Sequence, residues 1–295
     1  MTKLALLGGA PEIAGPLPRY PSMGPGELAA VREVVESGSL SGFYGSPGPE
    51  FVGGPKVRAF EAAWRDHFRT RHAISVNSAT SGLYSACAAA GIGPGDEVIV
   101  PPYTMSATVM APLLYGGIPV FADVEDETFC LDVDAVRRAI TSKTRAVIAV
   151  NLFGHPASLA ELRALADERD LVLIEDNAQG PLAREGDRYA GTIGHMGVFS
   201  FNYHKHIHTG EGGMVVTDDD AFAIRLQAVR NHAENVVEDF GLTAAPNMIG
   251  FNFRMTELSA AVGLVQLTES ERHVGRRIAI AERLSERLGN LEGVR

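Results

Sequence analysis

Cysteine is scarce in this sequence, and so are blocks of positive charge. The 295 residues include two cysteines, Cys87 and Cys130, too few for a fold held together by a framework of disulfide bonds. Lys and Arg number 26 against 36 Asp and Glu, so the formal net charge is −10. Because no basic tract is present, neither nucleic acid nor an anionic membrane surface is expected as a partner.

Long uninterrupted apolar runs are also missing. The stretch from Val98 to Ala122 is broken by prolines and glycines, so we expect no membrane-spanning helix. Near the start of the chain, "LALL" is too short for the apolar core of a signal peptide. These features favour a soluble cytoplasmic protein with a well-formed core.

Short apolar segments alternate with helical patterns along most of the chain. Strands are predicted at 72–76, 97–101, 119–124, 145–153, 171–178, 197–201 and 213–218. Helices are predicted at 27–36, 56–68, 79–90, 106–114 and 134–140. Repeated strand–helix units with continuously apolar strands predict an α/β fold, in which a mostly parallel sheet is covered by helices on both faces.

Three helices allow more detailed predictions. The first is expected to bury one face, formed by Leu28, Val31 and Val35. The second aligns four large apolar residues at helical spacing, namely Val57, Phe60, Trp64 and Phe68. A further helix, "SLAELRALADERD", is predicted to begin with a capping box between Ser158 and Glu161.

Polar or glycine-bearing stretches follow several predicted strands, and open sheets bind ligands beyond the carboxyl ends of their strands. In "VNSATSG", hydroxyls and backbone N–H groups at a helix start suit either a phosphate group or a simple helix cap. In "LIEDNAQ", Glu175 and Asp176 point to opposite faces of a strand. A carboxylate there could pair with a cation, a metal or a protonated ring nitrogen, or could cap the next segment.

The stretch "SFNYHKHIHTGEGG" places Lys205 among His204, His206 and His208. In an extended segment the three histidines would share one face, which suggests a metal site. Zinc sites usually gather ligands from more than one segment, and no cysteine or carboxylate spacing supports one here, so this is the minority interpretation. The turn from Gly210 to Gly213 would let the next strand approach closely. A lysine, a strand-end carboxylate and a phosphate cradle together suit pyridoxal 5′-phosphate.

Several segments, in order along the chain, resemble the DegT/DnrJ/EryC1/StrS family of sugar aminotransferases: "GGPKVRAFE", "VNSATSGL", "GPGDEVIVPPYT", "IEDNAQ", "SFNYHK", "TGEGGMVVTDD" and "GFNFRMTELSAAVGLVQL". The resemblance implies the aspartate-aminotransferase (type I) fold, a three-layer αβα sandwich with a mixed, mostly parallel sheet. It divides the chain into an N-terminal segment and helix at 1–36, a large cofactor-binding domain at 37–270, and the start of a largely absent small C-terminal domain at 271–295.

The resemblance also implies roles around the cofactor ring. By this similarity Lys205 forms the Schiff base with pyridoxal 5′-phosphate, and Asp176 pairs with the pyridine nitrogen. Gln179 stands at the position that contacts the ring or its 3-hydroxyl. Met105 replaces the aromatic residue with which the family usually stacks on the ring, a packing role that a thioether can also fill.

The phosphate group is assigned in the same way. Ala79 and Thr80 occupy the family's Gly-Thr position at the phosphate, and Ser200 is a further ligand. Asn252 matches an asparagine that reaches the phosphate from a second subunit. The resemblance therefore implies a homodimer with a shared active site.

The reaction implied is the transfer of an amino group from glutamate or glutamine to a keto sugar, with a nucleotide-linked one favoured, or to a keto-cyclitol. Such steps belong to the biosynthesis of secondary metabolites or cell-surface sugars. Dehydratases of the same family, which use pyridoxal or pyridoxamine phosphate, carry histidine at the lysine position, so Lys205 favours transamination. A sugar dehydratase and a non-catalytic, truncated partner subunit remain the alternatives.

Overall fold

A seven-stranded sheet forms the centre of the molecule. The computed structural model describes residues 3–17, 22–46, 48–233, 249–291 and 293. The strands are β1 (His72–Val76), β2 (Glu97–Val100), β3 (Ile118–Phe121), β4 (Thr144–Val150), β5 (Val172–Asp176), β8 (Met196–Ser200) and β9 (Gly213–Thr217), while β6 (Arg184–Glu185) and β7 (Arg188–Tyr189) form a separate hairpin. The order is β1-β9-β8-β5-β4-β2-β3. Strands β8, β5, β4, β2 and β3 are parallel, whereas β9 runs antiparallel to both of its neighbours.

Helices cover both faces of this sheet. They are α1 (Pro25–Ser37), α2 (Pro55–Phe68), α3 (Ala79–Ala89), α4 (Ser106–Leu113), α5 (Val133–Ala139), α6 (Leu159–Glu168), α7 (Asp220–Arg230), α8 (Glu257–Thr268) and α9 (Ser270–Leu288). Val98 and Val100 join the core under α3, α4 and α7, whereas Ile99 between them joins the core under α5 and α6. This alternation places apolar side chains on both faces. The predicted three-layer α/β architecture with a mixed, mostly parallel sheet is confirmed.

The second helix buries the face that its spacing predicts. Val57, Phe60, Trp64 and Phe68 are all buried. The rings of Trp64 and Phe68 stack at 4.6 Å, and Trp64 also packs edge-on against Phe199 of β8 at 5.2 Å. This aromatic core fixes β8, and with it the segment that carries Lys205.

Two other helix predictions are wrong. Leu28 and Val35 are exposed, and α1 instead buries Val34 together with Glu27, whose Oε1 accepts a hydrogen bond from Gln266 Nε2 of α8 at 2.7 Å. The helix packs through a polar contact that an apolar pattern cannot reveal. Ser158 has a left-handed backbone (φ 42°) and its side chain makes no cap hydrogen bond, so the predicted capping box does not form. The N–H of Ala160 donates to Glu185 Oε2 of the β6–β7 hairpin instead, at 2.9 Å.

One charged pair lies in the interior. The guanidinium of Arg230, at the end of α7, is fully buried; Nη1 donates to Glu61 of α2 and to the carbonyl oxygen of Ser75 in β1. The same side chain reaches the carbonyl oxygen of Val52. These bonds connect three elements at one edge of the sheet.

Among the described residues, no helix is both long and apolar enough to cross a membrane. The proposed division at 36/37 and 270/271 stays a prediction, although α1 does pack against α8 of the large unit.

Candidate active site

A cavity of about 180 Å³ opens at the carboxyl ends of the parallel strands. Its lining comes from the starts of α3 and α4, the end of β5, and the loop between β8 and β9. The residues are Ser78, Ala79, Thr80, Leu83, Thr104, Met105, Ala107, Asp176, Ala178, Gln179, Ser200, Asn202, His204, Lys205 and Glu211. We call this space the lysine cavity. Its position is the one that open α/β sheets use for ligands.

Seven of the eight site residues predicted from the sequence line the lysine cavity: Ala79, Thr80, Met105, Asp176, Gln179, Ser200 and Lys205. Asn252 does not line it and is exposed. Its backbone carbonyl accepts a hydrogen bond from Asn77 Nδ2 at 3.1 Å, and its Oδ1 accepts one from Arg254 Nε at 3.0 Å. Asn252 therefore lies near the start of α3 but outside this cavity.

The start of α3 lies very close to β9 and leaves its first N–H groups without intrahelical acceptors. Ser78 is the N-cap, and its Oγ accepts a hydrogen bond from the N–H of Ser81 at 3.0 Å. The next N–H groups, those of Ala79 and Thr80, belong to the first turn, where no intrahelical acceptor exists. A Cβ on Gly213 would lie 2.7 Å from the backbone of Ser78, so only glycine lets β9 pass this turn. Ser78 can therefore cap the helix while the first N–H groups of α3 are available to a phosphate group.

Asp176 ends β5 as a buried carboxylate aimed at the lysine cavity. Its Oδ2 accepts a hydrogen bond from Thr108 Oγ1 at 2.8 Å, and its Oδ1 accepts one from the N–H of Ala178 at 3.2 Å. Burial raises the pKa of Asp176, while the bonds from Thr108 and Ala178 and the charge of Lys205 oppose that rise. A cation at this point would stabilise the carboxylate.

Glu175 points the other way, as the strand alternation predicts. It is fully buried, and its two oxygens accept hydrogen bonds from the N–H groups of Gly191, Ile193 and Gly194. Asn151 Nδ2 adds a fourth bond at 3.2 Å. Glu175 therefore ties the loop after the hairpin to β5 and takes no part in the lysine cavity.

Lys205 is presented by the connection between β8 and β9. This loop is closed at its base, because the N–H of Phe201 donates to the carbonyl of Gly212 at 2.9 Å and the N–H of Thr209 donates to the carbonyl of Phe201 at 3.0 Å. Partial burial lowers the pKa of Lys205, and the nearby charge of Asp176 opposes that effect. A lysine with a lowered pKa is unprotonated in a larger fraction of molecules at neutral pH, and the unprotonated amine is the form that acts as nucleophile or base.

The segment that carries the three histidines forms turns and bends and is not an extended strand. All three histidines line a second cavity of about 260 Å³, and His204 lines the lysine cavity as well. Across the described residues, no group of His, Cys, Asp and Glu is arranged to hold a metal ion.

Gln179 and Met105 are two partly solvent-accessible residues of the lysine cavity. Gln179 Oε1 accepts a hydrogen bond from the N–H of Phe153 at 2.7 Å. Met105 is 60% exposed, and its sulfur accepts a bond from the N–H of Ala107 at 3.1 Å. Tyr103 packs edge-on against Phe129 and Phe153, at 5.8 and 6.2 Å between ring centroids, and does not line the cavity.

Sequence reasoning missed Thr108. Its hydroxyl donates to Asp176 and also lies 2.8 Å from that of Thr104. The available signal was the spacing of Thr104 and Thr108 around the start of α4, which brings both side chains to one side of the helix. Asn202 and Glu211, joined by a 2.8 Å hydrogen bond across the loop, were missed as well.

This set of groups fits pyridoxal 5′-phosphate. The buried carboxylate of Asp176 suits a protonated ring nitrogen, since its burial is otherwise offset by two neutral donors and one lysine. The amine of Lys205 lies in the same cavity, and the start of α3 with the hydroxyl of Ser200 offers donors to a phosphate group.

Comparison with known proteins yields relatives along nearly the whole chain. The profile of the DegT/DnrJ/EryC1/StrS aminotransferase family matches residues 24–295. L-glutamine:2-deoxy-scyllo-inosose aminotransferase of Micromonospora echinospora is 37% identical over 300 residues, which cover 99% of this chain and 70% of the relative. GDP-perosamine synthase of Escherichia coli O157:H7 is 35% identical over 238 residues, covering 81% and 64%.

Solved structures of similar proteins superpose on this chain. DesV of S. venezuelae superposes with a TM-score of 0.80 at 36% identity, over 90% of this chain and 68% of that one. An E. coli GDP-4-keto-6-deoxy-D-mannose-3-dehydratase with bound hydrated PLP gives a TM-score of 0.79 at 27% identity, over 91% and 71%. The chain thus spans roughly two thirds of the length of the proteins that it matches, between 64% and 71% for these four.

Proposed function

The chain belongs to the DegT/DnrJ/EryC1/StrS aminotransferase family, and we propose that it transfers an amino group from glutamate or glutamine to a keto sugar or a keto-cyclitol. Proteins of this family depend on pyridoxal 5′-phosphate, and transamination with this cofactor is the activity that we propose for this chain. One relative is named for a cyclitol ketone and another for a GDP-linked amino sugar, which supports both acceptor classes. Such products belong to secondary metabolites and cell-surface sugars.

The observation that carries this proposal is the presence of Lys205 and Asp176 in one cavity at the end of β5. Pyridoxal phosphate, when bound, withdraws electrons and makes the Cα–H bond of an amino acid acidic. Lys205 would hold the cofactor covalently and, once released, carry a proton from the donor's Cα as general base and then general acid. Its lowered pKa suits that role, since a larger fraction of the amine is neutral.

The other residues of the site would bind the cofactor and orient it. Asp176 would keep the ring nitrogen protonated through an ion pair, and Thr108 would fix its carboxylate. The start of α3 at Ala79 and Thr80 would hold the phosphate together with Ser200. Gln179 would contact the ring or its 3-hydroxyl, and Met105 would pack on the ring face.

We further propose a cytoplasmic homodimer with shared active sites. Asn252 is exposed and lies outside the lysine cavity of its own chain, so a role at the phosphate requires a second copy. Cys87 and Cys130 are both buried free thiols, which suits a reducing compartment.

The alternatives differ in what they need from Lys205. A dehydratase of this family carries histidine at that position, whereas a covalent cofactor bond and transamination need the amine. A non-catalytic partner subunit would have no use for the complete set of lysine, aspartate and serine in one cavity.

The test is a panel of nucleotide-linked keto sugars, free keto sugars and keto-inositols, offered with glutamate or glutamine and analysed by product mass. We expect an amino product from at least one ketone, and none from Lys205→Ala. A deoxygenated product, or unchanged turnover in Lys205→Ala, would contradict the proposal. Loss of the visible absorbance of the lysine-bound cofactor in Lys205→Ala gives an independent readout.

The dimer is tested by mixing two inactive variants, Lys205→Ala and Asn252→Ala. If active sites are shared, hybrid dimers contain one site with both native residues, so activity reappears on mixing. Absence of any recovery, with a monomeric mass in sedimentation, would contradict a shared site.

A further inference from the structure

The second cavity lies against the loop that carries Lys205, and we call it the histidine cavity. Its walls come from this loop, from α8 and α9, and from the segment before α1. The lining residues are Ser22, Tyr203, His204, Lys205, His206, His208, Gln266, His273 and Arg277. His204 and Lys205 line the lysine cavity as well, so the two spaces are adjacent.

Two imidazoles of the histidine cavity have buried ring nitrogens without a hydrogen-bond partner among the described residues. His208 is only 7% exposed, and neither of its ring nitrogens has a hydrogen-bond partner in the described part of the chain. The Nδ1 of His206 is likewise buried without a partner among those residues. Buried polar atoms are nearly always hydrogen-bonded in native proteins. Buried ring nitrogens without a partner, on two histidines that line one cavity, therefore point to a ligand.

The charge of the cavity indicates the kind of ligand. None of its described lining residues is acidic, while Arg277 carries positive charge. Burial, reinforced by Arg277 and Lys205, lowers the pKa of His206 to about 4. Glu27, the nearest acidic group of α1, is bound to Gln266 Nε2 and to the N–H of Gly24. A partly dehydrated, positive space with spare N–H donors favours an oxyanion.

We propose that the histidine cavity is an oxyanion subsite, which holds a carboxylate or phosphate group of a substrate while its reacting atom lies at Lys205. The proposal rests on the proposed function for the reaction at Lys205, but the binding itself needs no turnover. Two candidate substrates of that reaction carry such groups: glutamate, with its distal carboxylate, and a nucleotide-linked sugar, with its diphosphate. The histidines that border Lys205 in the sequence thereby acquire a binding role in place of a metal-ligating one.

The test is direct binding to the cofactor-loaded protein. Glutarate, which lacks an amino group and cannot react, and inorganic pyrophosphate are titrated separately by calorimetry. We expect at least one of them to bind, and we expect His208→Phe to weaken that binding by tenfold or more. His72→Gln is the matched control, because His72 lies beside Asp220 and pairs with Thr217, at the end of β9 away from the loop that carries Lys205. It should bind as the unaltered protein does.

A second readout separates binding from folding. The groups that face His206 and His208 are Lys205 and His204 on the loop, His273 and Arg277 on α9, and Glu27 on α1. A bound anion stabilises the protonated imidazole, so the pKa of His206 measured by NMR should rise when the anion is added. If His208→Phe does not fold, His206→Gln serves in the calorimetry, with a native circular dichroism spectrum as the check.

The outcomes are distinct. Glutarate binding alone assigns the subsite to glutamate as the amino donor, and pyrophosphate binding alone assigns it to a nucleotide-linked sugar. No binding of either anion, or equal binding by the histidine variants, overturns the proposal. Anion binding without any transamination would leave the subsite standing while the proposed function fails.

Discussion

Asp176 is a buried residue whose charge the described residues around it offset only in part. Its carboxylate is buried, and the hydroxyl of Thr108 and the N–H of Ala178 are neutral donors that compensate its charge in part. The sequence pointed to Asp176 because it follows an apolar run, and to Lys205 because it lies in a glycine-flanked loop. Thr108 could not be found in that way, since its contact with Asp176 spans 68 positions and depends on how α4 meets β5.

Replacing Thr108 by valine should impair this carboxylate. The hydroxyl lowers the pKa of Asp176, so its removal should raise that pKa further, and the acid limb of the pH profile of kcat should move to higher pH. Loss of a buried hydrogen bond to a charged group is worth about 1.5–3 kcal/mol, which corresponds to a roughly 10- to 100-fold drop in turnover. Thr108→Ser, which keeps the hydroxyl, should restore the profile. An unshifted acid limb in Thr108→Val would exclude this role.

At the scale of elements, strands were easier to predict than helix faces. Continuous apolar runs place strands such as β1 and β8 to within a residue, because both faces of the sheet are covered. The hairpin β6–β7 was missed, since strands of two residues leave no periodicity. The buried face of α1 was predicted wrongly because it packs through Glu27 and Gln266, a contact decided by the partner helix.

Helix starts offer a stability comparison. Asp132 caps α5 with bonds from the N–H groups of Asp134 and Ala135, whereas Ser158 makes no cap bond at the start of α6. We expect Asp132→Ala to lower the free energy of unfolding by about 1 kcal/mol, and Ser158→Ala to leave it nearly unchanged. Urea unfolding followed by circular dichroism measures both. Equal losses would mean that cap hydrogen bonds are not what distinguishes the two positions.

The contact between β9 and the start of α3 should be disturbed by one methyl group added at Gly213. In Gly213→Ala the new Cβ would lie 2.7 Å from the backbone of Ser78, so the start of α3 must shift. Because that start is the proposed phosphate cradle, affinity for pyridoxal phosphate should fall by at least tenfold. Fluorescence titration of the cofactor-free protein measures this, with Gly45→Ala, where nothing lies within 4 Å, as the control. Unchanged affinity would mean that the cradle tolerates the displacement.

At the scale of the whole molecule, the ion pair between Arg230 and Glu61 joins parts of the chain that are far apart in sequence. Arg230 ends α7, Glu61 lies in α2, and both contact Ser75 of β1. No sequence pattern marks such a pair, because a charged residue near a helix end usually faces solvent. The layered architecture was predictable from periodicity, but this junction was not.

Glu61→Gln should therefore destabilise the entire fold. It leaves the fully buried guanidinium of Arg230 without its carboxylate, which costs about 3–5 kcal/mol in comparable sites. Glu33→Gln makes the same chemical change in the exposed pair with Lys56 and should cost less than about 1 kcal/mol. Denaturant midpoints of the two variants provide the measurement. Similar midpoints would show that the interior pair contributes no more than a surface one.

The backbone bonds that close the base of the loop from Phe201 to Gly212 have an evolutionary consequence. Because the loop begins and ends at the same point of the sheet, residues within it can be replaced without altering the register of β8 and β9. A duplicated gene could therefore exchange the reactive residue in this loop while inheriting an intact scaffold. Few coordinated mutations are then needed for a new reaction to evolve on the same fold. For the same reason, the loop is the segment to exchange when one reaction is to be converted into another by engineering.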